Sequence, residues 1–238
     1  MIERWLRRAL RRCGLDVPFR YVICPEHVKT IAISRDSDAK VTVQRTLVFL
    51  EAPEAGDLRD TILEPGSDSA LYASPDGLEL SRQRRGRATL VTWRPRETVT
   101  PYALYSHEYS WHSTGVYGDP AVYAEVGCEL RTGLLLLEMV TPGTFETAVV
   151  FKRPRWKPLR SDRSVIKYAL RQLDAQAARP VIADYGKRLQ WRLASPKVGD
   201  RYICVAFHQY GVAQAEERLK ETSFAGRLRH LLRPLIPA

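Results

Sequence analysis

Apolar residues along this chain recur mostly at every second position, in short β-branched and aromatic runs broken by turn residues, which is the pattern of antiparallel sheet. The alternation starts near Val28. His27–Ser34 and Lys40–Leu50 flank Asp36-Ser37-Asp38 and predict a hairpin, and Leu78–Arg82 with Arg87–Trp93 predict a second around Gly86. Between them Pro53, Gly56, Pro65 and Gly66 mark a loop holding one short apolar run, Asp60–Leu63. Beyond Pro95 and Pro101, the best boundary candidate, the runs Tyr102–Trp111, Ala121–Leu130, Leu134–Val140 and Phe145–Phe151 predict four strands in a meander or sandwich, with the firmest hairpin around Thr132-Gly133. Leu189–Leu193 and Tyr202–Tyr210 flank Pro196 and Gly199 as a last hairpin. Its second strand puts Ile203, Val205 and Phe207 on one face and Tyr202, Cys204, Ala206 and His208 on the other.

Helical spacing occurs in three places. Ile2, Trp5, Leu6, Ala9 and Leu10 share one face of a short helix whose remaining face carries arginines, ended by Gly14 and Pro18. Ser164–Ala178 has helical composition with Ser164 as N-cap and Pro180 as stop, a strand over Val165–Leu170 being the rival. Ala213–Arg233 reads as a terminal helix interrupted near Gly226. The fold expected is therefore mainly β, of antiparallel β-sandwich type, as one large or two tandem β modules, with short basic helices at both ends. Its parts are a basic amphipathic helix over 1–14, a first β-rich module over 18–97, a second over 98–211 with a helix at 164–178, and a C-terminal helix over 212–238.

Composition narrows the class. A hydrophobic fraction of 45% and a charged fraction of 27% are ordinary for a folded domain and exclude global disorder. The longest purely aliphatic stretch, Leu134–Leu137, is far short of a spanning helix. Arginines Arg4, Arg7, Arg8, Arg11 and Arg12 interrupt any apolar core a secretory signal would need. Cys13, Cys24, Cys128 and Cys204 are scattered without a CxxC pair, as in a reducing compartment, so a cytoplasmic location is expected.

The net charge of +10 is unevenly placed: residues 21–151 are net acidic, while 152–171 carry eight basic side chains against one acidic. Arginine outnumbers lysine 29 to 8, which codon usage in a GC-rich genome explains without nucleic-acid binding.

The catalytic constellations lack their spacing. In His107-Glu108-Tyr109-Ser110-Trp111-His112 the histidines are five apart, where the helical zinc-protease motif needs four, and on a strand an odd separation sends them to opposite faces. Glu108, Ser110 and His112 share a strand face, but alternate residues stand ~6.8 Å apart, too far for a serine–histidine hydrogen bond. Cys204 and His208 are further apart still, and the Cys24–His27 pair supplies two ligands where a structural zinc site needs four. No glycine-rich phosphate cradle occurs. No catalytic residue, metal ligand or cofactor is therefore expected.

Binding signals are stronger. Lys152, Arg153, Arg155, Trp156, Lys157, Arg160 and Arg163, followed by Lys167 and Arg171, combine cations with an aromatic plane, as a surface tracking a phosphate backbone would. The structural alternative is a solvated loop whose cations pair with the acidic β region. Arg82, Arg84, Arg85 and Arg87 form a smaller cluster, expected on a hairpin turn, that would extend such a surface. In the first helix, Trp5 and Leu6 with Arg4, Arg7, Arg8 and Arg11 suit docking on the protein's own core, a partner or an anionic membrane. The leading expectation is a non-catalytic, regulatory β-rich binding protein that contacts another protein through sheet edges and loops. Nucleic-acid binding through 152–171 and membrane attachment through 1–12 are the alternatives.

Overall fold

The computed structural model describes residues 22–34, 38–50, 98–115, 117, 120–128, 130–153, 162–175 and 179–221, together with the backbone course of the strands between 58 and 95. The protein is mainly β. Its strands are β1 (Val22–Ile33), β2 (Ala39–Phe49), β3 (Leu58–Ile62), β4 (Leu71–Ala73), β5 (Gly77–Arg85), β6 (Ala88–Pro95), β7 (Leu104–Ser113), β8 (Ala121–Gly127), β9 (Arg131–Val140), β10 (Phe145–Lys152), β11 (Val181–Ala183), β12 (Arg188–Ala194) and β13 (Arg201–His208). Two helices, α1 (Asp162–Asp174) and α2 (Gly211–Glu221), complete the described elements with a tight left-handed turn at Asp184–Gly186. The strands form a seven-stranded sheet ordered β11-β12-β9-β1-β2-β7-β4, and two three-stranded sheets ordered β10-β13-β8 and β3-β6-β5.

Alternation in β1, β2, β7, β9 and β12 puts Ile31, Val41, Val43, Leu47, Tyr109, Trp111, Leu135, Leu137, Met139 and Leu189 into one apolar cluster. The same cluster contains Val122, Ala124 and Val126 of β8, Ala148 and Val150 of β10, and Cys204 and Ala206 of β13. One face of the large sheet therefore packs on the β10-β13-β8 sheet. The other face of that small sheet carries Val149, Phe151, Ile203, Val205 and Phe207, which pack with Val165 and Ala169 of α1 and Ala215 of α2. A strand covered on both sides must be apolar at every position, which is why Ile203–Phe207 is an unbroken buried run. Buried Lys29 links the layers: its Nζ donates to the Glu125 carbonyl at 3.2 Å and lies 5.4 Å from the centre of the Trp111 ring. Because β8 is an edge strand of the small sheet, that carbonyl lacks a ladder partner on its outer side.

The β1–β2 and β5–β6 hairpins form as predicted, and α1 settles helix over strand for the 164–178 segment, although it begins at Asp162, so that Ser164 lies inside the helix and does not cap it. Four expectations are corrected. The sheet is not antiparallel throughout, because β1 and β9 pair in parallel. The four strands from Tyr102 to Phe151 do not form a meander, since β7 and β9 belong to the large sheet and β8 and β10 to the small one. For the same reason neither Thr132-Gly133 nor the Pro196–Gly199 segment is a hairpin turn. Gly133 lies inside β9, where a Cβ would sit 2.7 Å from the Pro25 carbonyl oxygen, so the glycine answers a close backbone approach instead of a turn. The loop expected around Asp60–Leu63 contains strand β3, and β4 and β11 add short strands that alternation over so few residues does not reveal. The large sheet takes strands from both sides of residue 97.

Residues 1–21 lie outside the described residues, and with them the segment expected as an N-terminal helix, with Arg4, Trp5, Leu6, Arg7, Arg8 and Arg11. Of the segment expected as a terminal helix, α2 is the described part, carrying Glu216 and Glu217 against Arg218 and Lys220, and residues 222–238 lie outside the described residues. No described helix is long and apolar enough to cross a membrane.

Candidate functional site

The basic segment leaves β10 at the end of the small sheet where β8 ends and β13 begins. Its first two cations are held by acids of neighbouring strands. Lys152 Nζ lies 2.6 Å from Asp200 Oδ2, and Asp200 also accepts from the Tyr202 hydroxyl at 3.3 Å. Arg153 Nη1 lies 2.9 Å from Glu125 Oε1, which Arg201 Nη1 approaches at 3.4 Å. The Glu125 pair joins the segment to the acidic stretch 21–151, whereas Asp200 lies outside that stretch. Lys152 is half exposed, so solvent screens its pair substantially. Arg155, Trp156, Lys157 and Arg160 lie outside the described residues. Arg163, Lys167 and Arg171 are exposed on α1, and Arg163 Nη2 reaches the Leu219 carbonyl of α2 at 3.4 Å. Arg82, Arg84 and Arg85 fall within β5 and not on its turn.

Burial, reinforced by the Asp200 carboxylate, pushes the Tyr202 phenol up to about 12 from 10.0. The folded protein thus favours the neutral phenol. This contribution to stability is intact below about pH 10 and is lost as pH rises toward about 12, where the unfolded chain ionises first. Urea unfolding at stepped alkaline pH should show wild type losing stability through that window more steeply than Tyr202→Phe; parallel losses would contradict the assignment.

His107 is fully buried while His112 is exposed, so the two imidazoles lie on opposite faces of β7. Glu108 accepts from Gln44 Nε2 at 2.8 Å, and Ser110 is buried on the same face. Cys24 donates to the Glu26 carbonyl at 3.1 Å, at a β-bulge of β1 beside buried His27. His208 stacks on Phe145, with ring centroids 5.3 Å apart, at the strand end. Cys204 is buried between the two sheets, and burial alone pushes its thiol far up. Among the described residues no three His, Cys, Asp or Glu side chains gather as metal ligands would. With Cys24, Cys128 and Cys204 all buried as thiols, a Cys13→Ser protein should react with an aromatic disulfide reagent only on unfolding. Rapid native labelling of more than a trace of thiol would show that the core opens easily.

A second surface, not anticipated from the sequence, lies at the opposite end of the strands. There the turns 141–144, 184–187 and 208–211 are tied together. Thr141 N–H donates to the Lys187 carbonyl at 2.9 Å, Gln209 N–H to the Thr144 carbonyl at 3.1 Å, and Tyr210 N–H to Glu146 Oε2 at 2.8 Å. Gly186 packs so close to Thr144 and Phe145 that a Cβ would lie 3.1 Å from the Phe145 carbonyl oxygen. On this frame stand two exposed tyrosines. Lys187 N–H donates to the Asp184 carbonyl at 3.1 Å, closing a turn whose central residues are Tyr185 (φ 55°, ψ 38°) and Gly186 (φ 86°). Those angles define a type I′ turn, whose first central position favours Asn, Asp or Gly. A tyrosine occupies it here, 99% exposed. Tyr210 (φ 63°), 68% exposed, immediately precedes α2, and its carbonyl accepts from Gln214 N–H at 3.1 Å. A third exposed, left-handed tyrosine, Tyr102 (φ 64°), stands at the opposite end, where its N–H donates to the Phe49 carbonyl.

The signal for the turn surface is a repeated Tyr-Gly dipeptide, at 185–186 and 210–211, after a polar residue. Read for hydrophobicity alone, Tyr210 passes as a strand end.

No family model matches the sequence, and comparison with curated proteins finds no similar one. Among solved structures, the chain is similar to a candidate protease from Parabacteroides distasonis, with 10% identity and a TM-score of 0.47 over 91% of this chain and 46% of that one. It is also similar to leukotriene A4 hydrolase from Saccharomyces cerevisiae, with 7% identity and a TM-score of 0.40 over 78% of this chain and 29% of that one. An M1 zinc metallopeptidase from Deinococcus radiodurans gives 10% identity and 0.35 over 78% and 42%. The chain thus spans less than half the length of these structures, and at this likeness no activity is carried over from them.

Proposed function

We propose that this protein is a non-catalytic, β-rich binding protein with a regulatory role, which recognises another protein through the turn surface presenting Tyr185 and Tyr210. The observation that carries the reading is Tyr185. A bulky residue held in the left-handed region costs on the order of 1–3 kcal/mol, and at 99% exposure its side chain recovers none of that by packing. Glycine or asparagine would serve the turn better. A rigid aromatic anchor of large amphipathic area, pre-positioned on a cross-linked frame, is what a protein interface uses as its energetic centre. The β-sandwich description finds support in the cluster shared by the large and small sheets. A cytoplasmic setting suits the buried thiols.

The test is affinity capture with nuclease-treated native lysate, comparing wild type with a Tyr185→Gly/Tyr210→Gly double variant. A discrete protein retained by the first and lost by the second supports the reading. Identical retention by both, or steady turnover in an unbiased substrate screen, overturns it.

A further inference from the structure

We infer that the outer face of α1 is a contact for the phosphate backbone of a nucleic acid, independent of the tyrosine surface. Arg163, Lys167 and Arg171 are exposed and spaced by four residues, so they form one line with ~6 Å between successive cations and ~12 Å from first to last. Like charges at that spacing repel and weaken an isolated helix by a few tenths of a kcal/mol per pair. Acidic residues at alternate turns would be better for folding. Among the described residues no carboxylate pairs with any of the three.

The rest of the helix leaves no role on that face for lipid. Val165 and Ala169 are buried, and Ile166, Tyr168, Leu170 and Leu173 pack on the small sheet, so every large apolar side chain of α1 is engaged inside the protein. A helix lying on a membrane needs an apolar face to insert, and this one has already used it. Along that face the described side chains are these three cations and one exposed carboxylate, Asp174, a turn beyond Arg171, so the face is predominantly cationic, which is what a linear polyanion of closely spaced phosphates meets. The pairing of Lys152 with Asp200 and of Arg153 with Glu125 divides the basic run. Its first cations tie it to the sheet and Arg163 reaches the Leu219 carbonyl of α2, while Lys167 and Arg171 are exposed toward a partner.

The test is fluorescence anisotropy of the full chain with a labelled single-stranded oligothymidylate, titrated over a salt series. Each backbone contact contributes about 0.7 to the slope of log affinity against log salt for a single strand. Lys167→Gln/Arg171→Gln should therefore reduce the slope by about 1.4, so that its affinity falls about sevenfold less than wild type's between 50 and 200 mM salt. Gln at the exposed strand cations Arg131 and Arg192 should leave the slope unchanged, and thermal melting should show both variants folded. Three results would each overturn the inference: no wild-type binding at low salt, an unchanged slope in the α1 variant, or displacement of the oligonucleotide by polyglutamate as readily as by unlabelled strand. Wild-type binding to phosphatidylserine vesicles, lost in the α1 variant, without oligonucleotide binding would overturn it in favour of a membrane surface.

Discussion

Tyr185→Gly/Tyr210→Gly is expected to abolish partner binding while leaving the fold at least as stable as before. Both tyrosines hold left-handed backbone, which glycine adopts without steric cost, so each substitution relieves strain. Glycine also gives the unfolded chain more freedom, at about 0.4–1 kcal/mol per site, which offsets part of that relief. Little packing is lost because Tyr185 is almost fully exposed and Tyr210 largely so. The double variant should therefore be more stable than wild type by between zero and about 5 kcal/mol, read from urea midpoints. Binding should respond differently. A central aromatic anchor contributes at least about 2 kcal/mol, or roughly thirtyfold in affinity per tyrosine. A double variant that unfolds several kcal/mol more easily would mean the tyrosines hold the turns together, and the interface reading would lose its basis.

Phe207→Ala is expected to have the reverse profile, costing about 3–5 kcal/mol of stability. Phe207 is fully buried on the helix-facing side of β13, the central strand of the small sheet, and contributes to the cluster that seats α1 and α2. Truncation there removes a ring between a sheet and two helices whose positions the sheet itself fixes, so little collapse can fill the space. Urea unfolding measures the loss. A cost under about 1 kcal/mol would indicate that the helix layer is loosely attached, and would weaken the use of α1 as a rigid contact surface.

What was legible in the sequence followed from periodicity. Strand β13 alternates as read, with Ile203, Val205 and Phe207 toward the helices and Cys204 and Ala206 toward the large sheet. The β1–β2 hairpin was marked by its Asp-Ser-Asp connection. Pairing between distant strands was not legible, because period two fixes which face a residue takes but not which strand lies beside it. Gly133 shows the ambiguity: next to a threonine it looks like a turn, and only the approach of Pro25 reveals why a side chain is excluded. The cations of 152–171 were found by charge, yet their division into internal pairs and outward stripe depends on Asp200 and Glu125, remote in sequence. The tyrosine turns escaped because Tyr185 stands where turn chemistry asks for asparagine or glycine. The departure that points to function also hid the turn.

The central claim, that the Tyr185–Tyr210 surface is where a partner protein docks, is tested most directly by photo-crosslinking in native lysate. A benzophenone amino acid would replace Tyr185, Tyr210 or, as control, Tyr102, which shares the exposure and backbone conformation but stands at the opposite end of the strands. The account predicts one discrete crosslinked protein from positions 185 and 210 and none of it from 102. Equal crosslinking from all three positions, or none from 185 and 210, would contradict it.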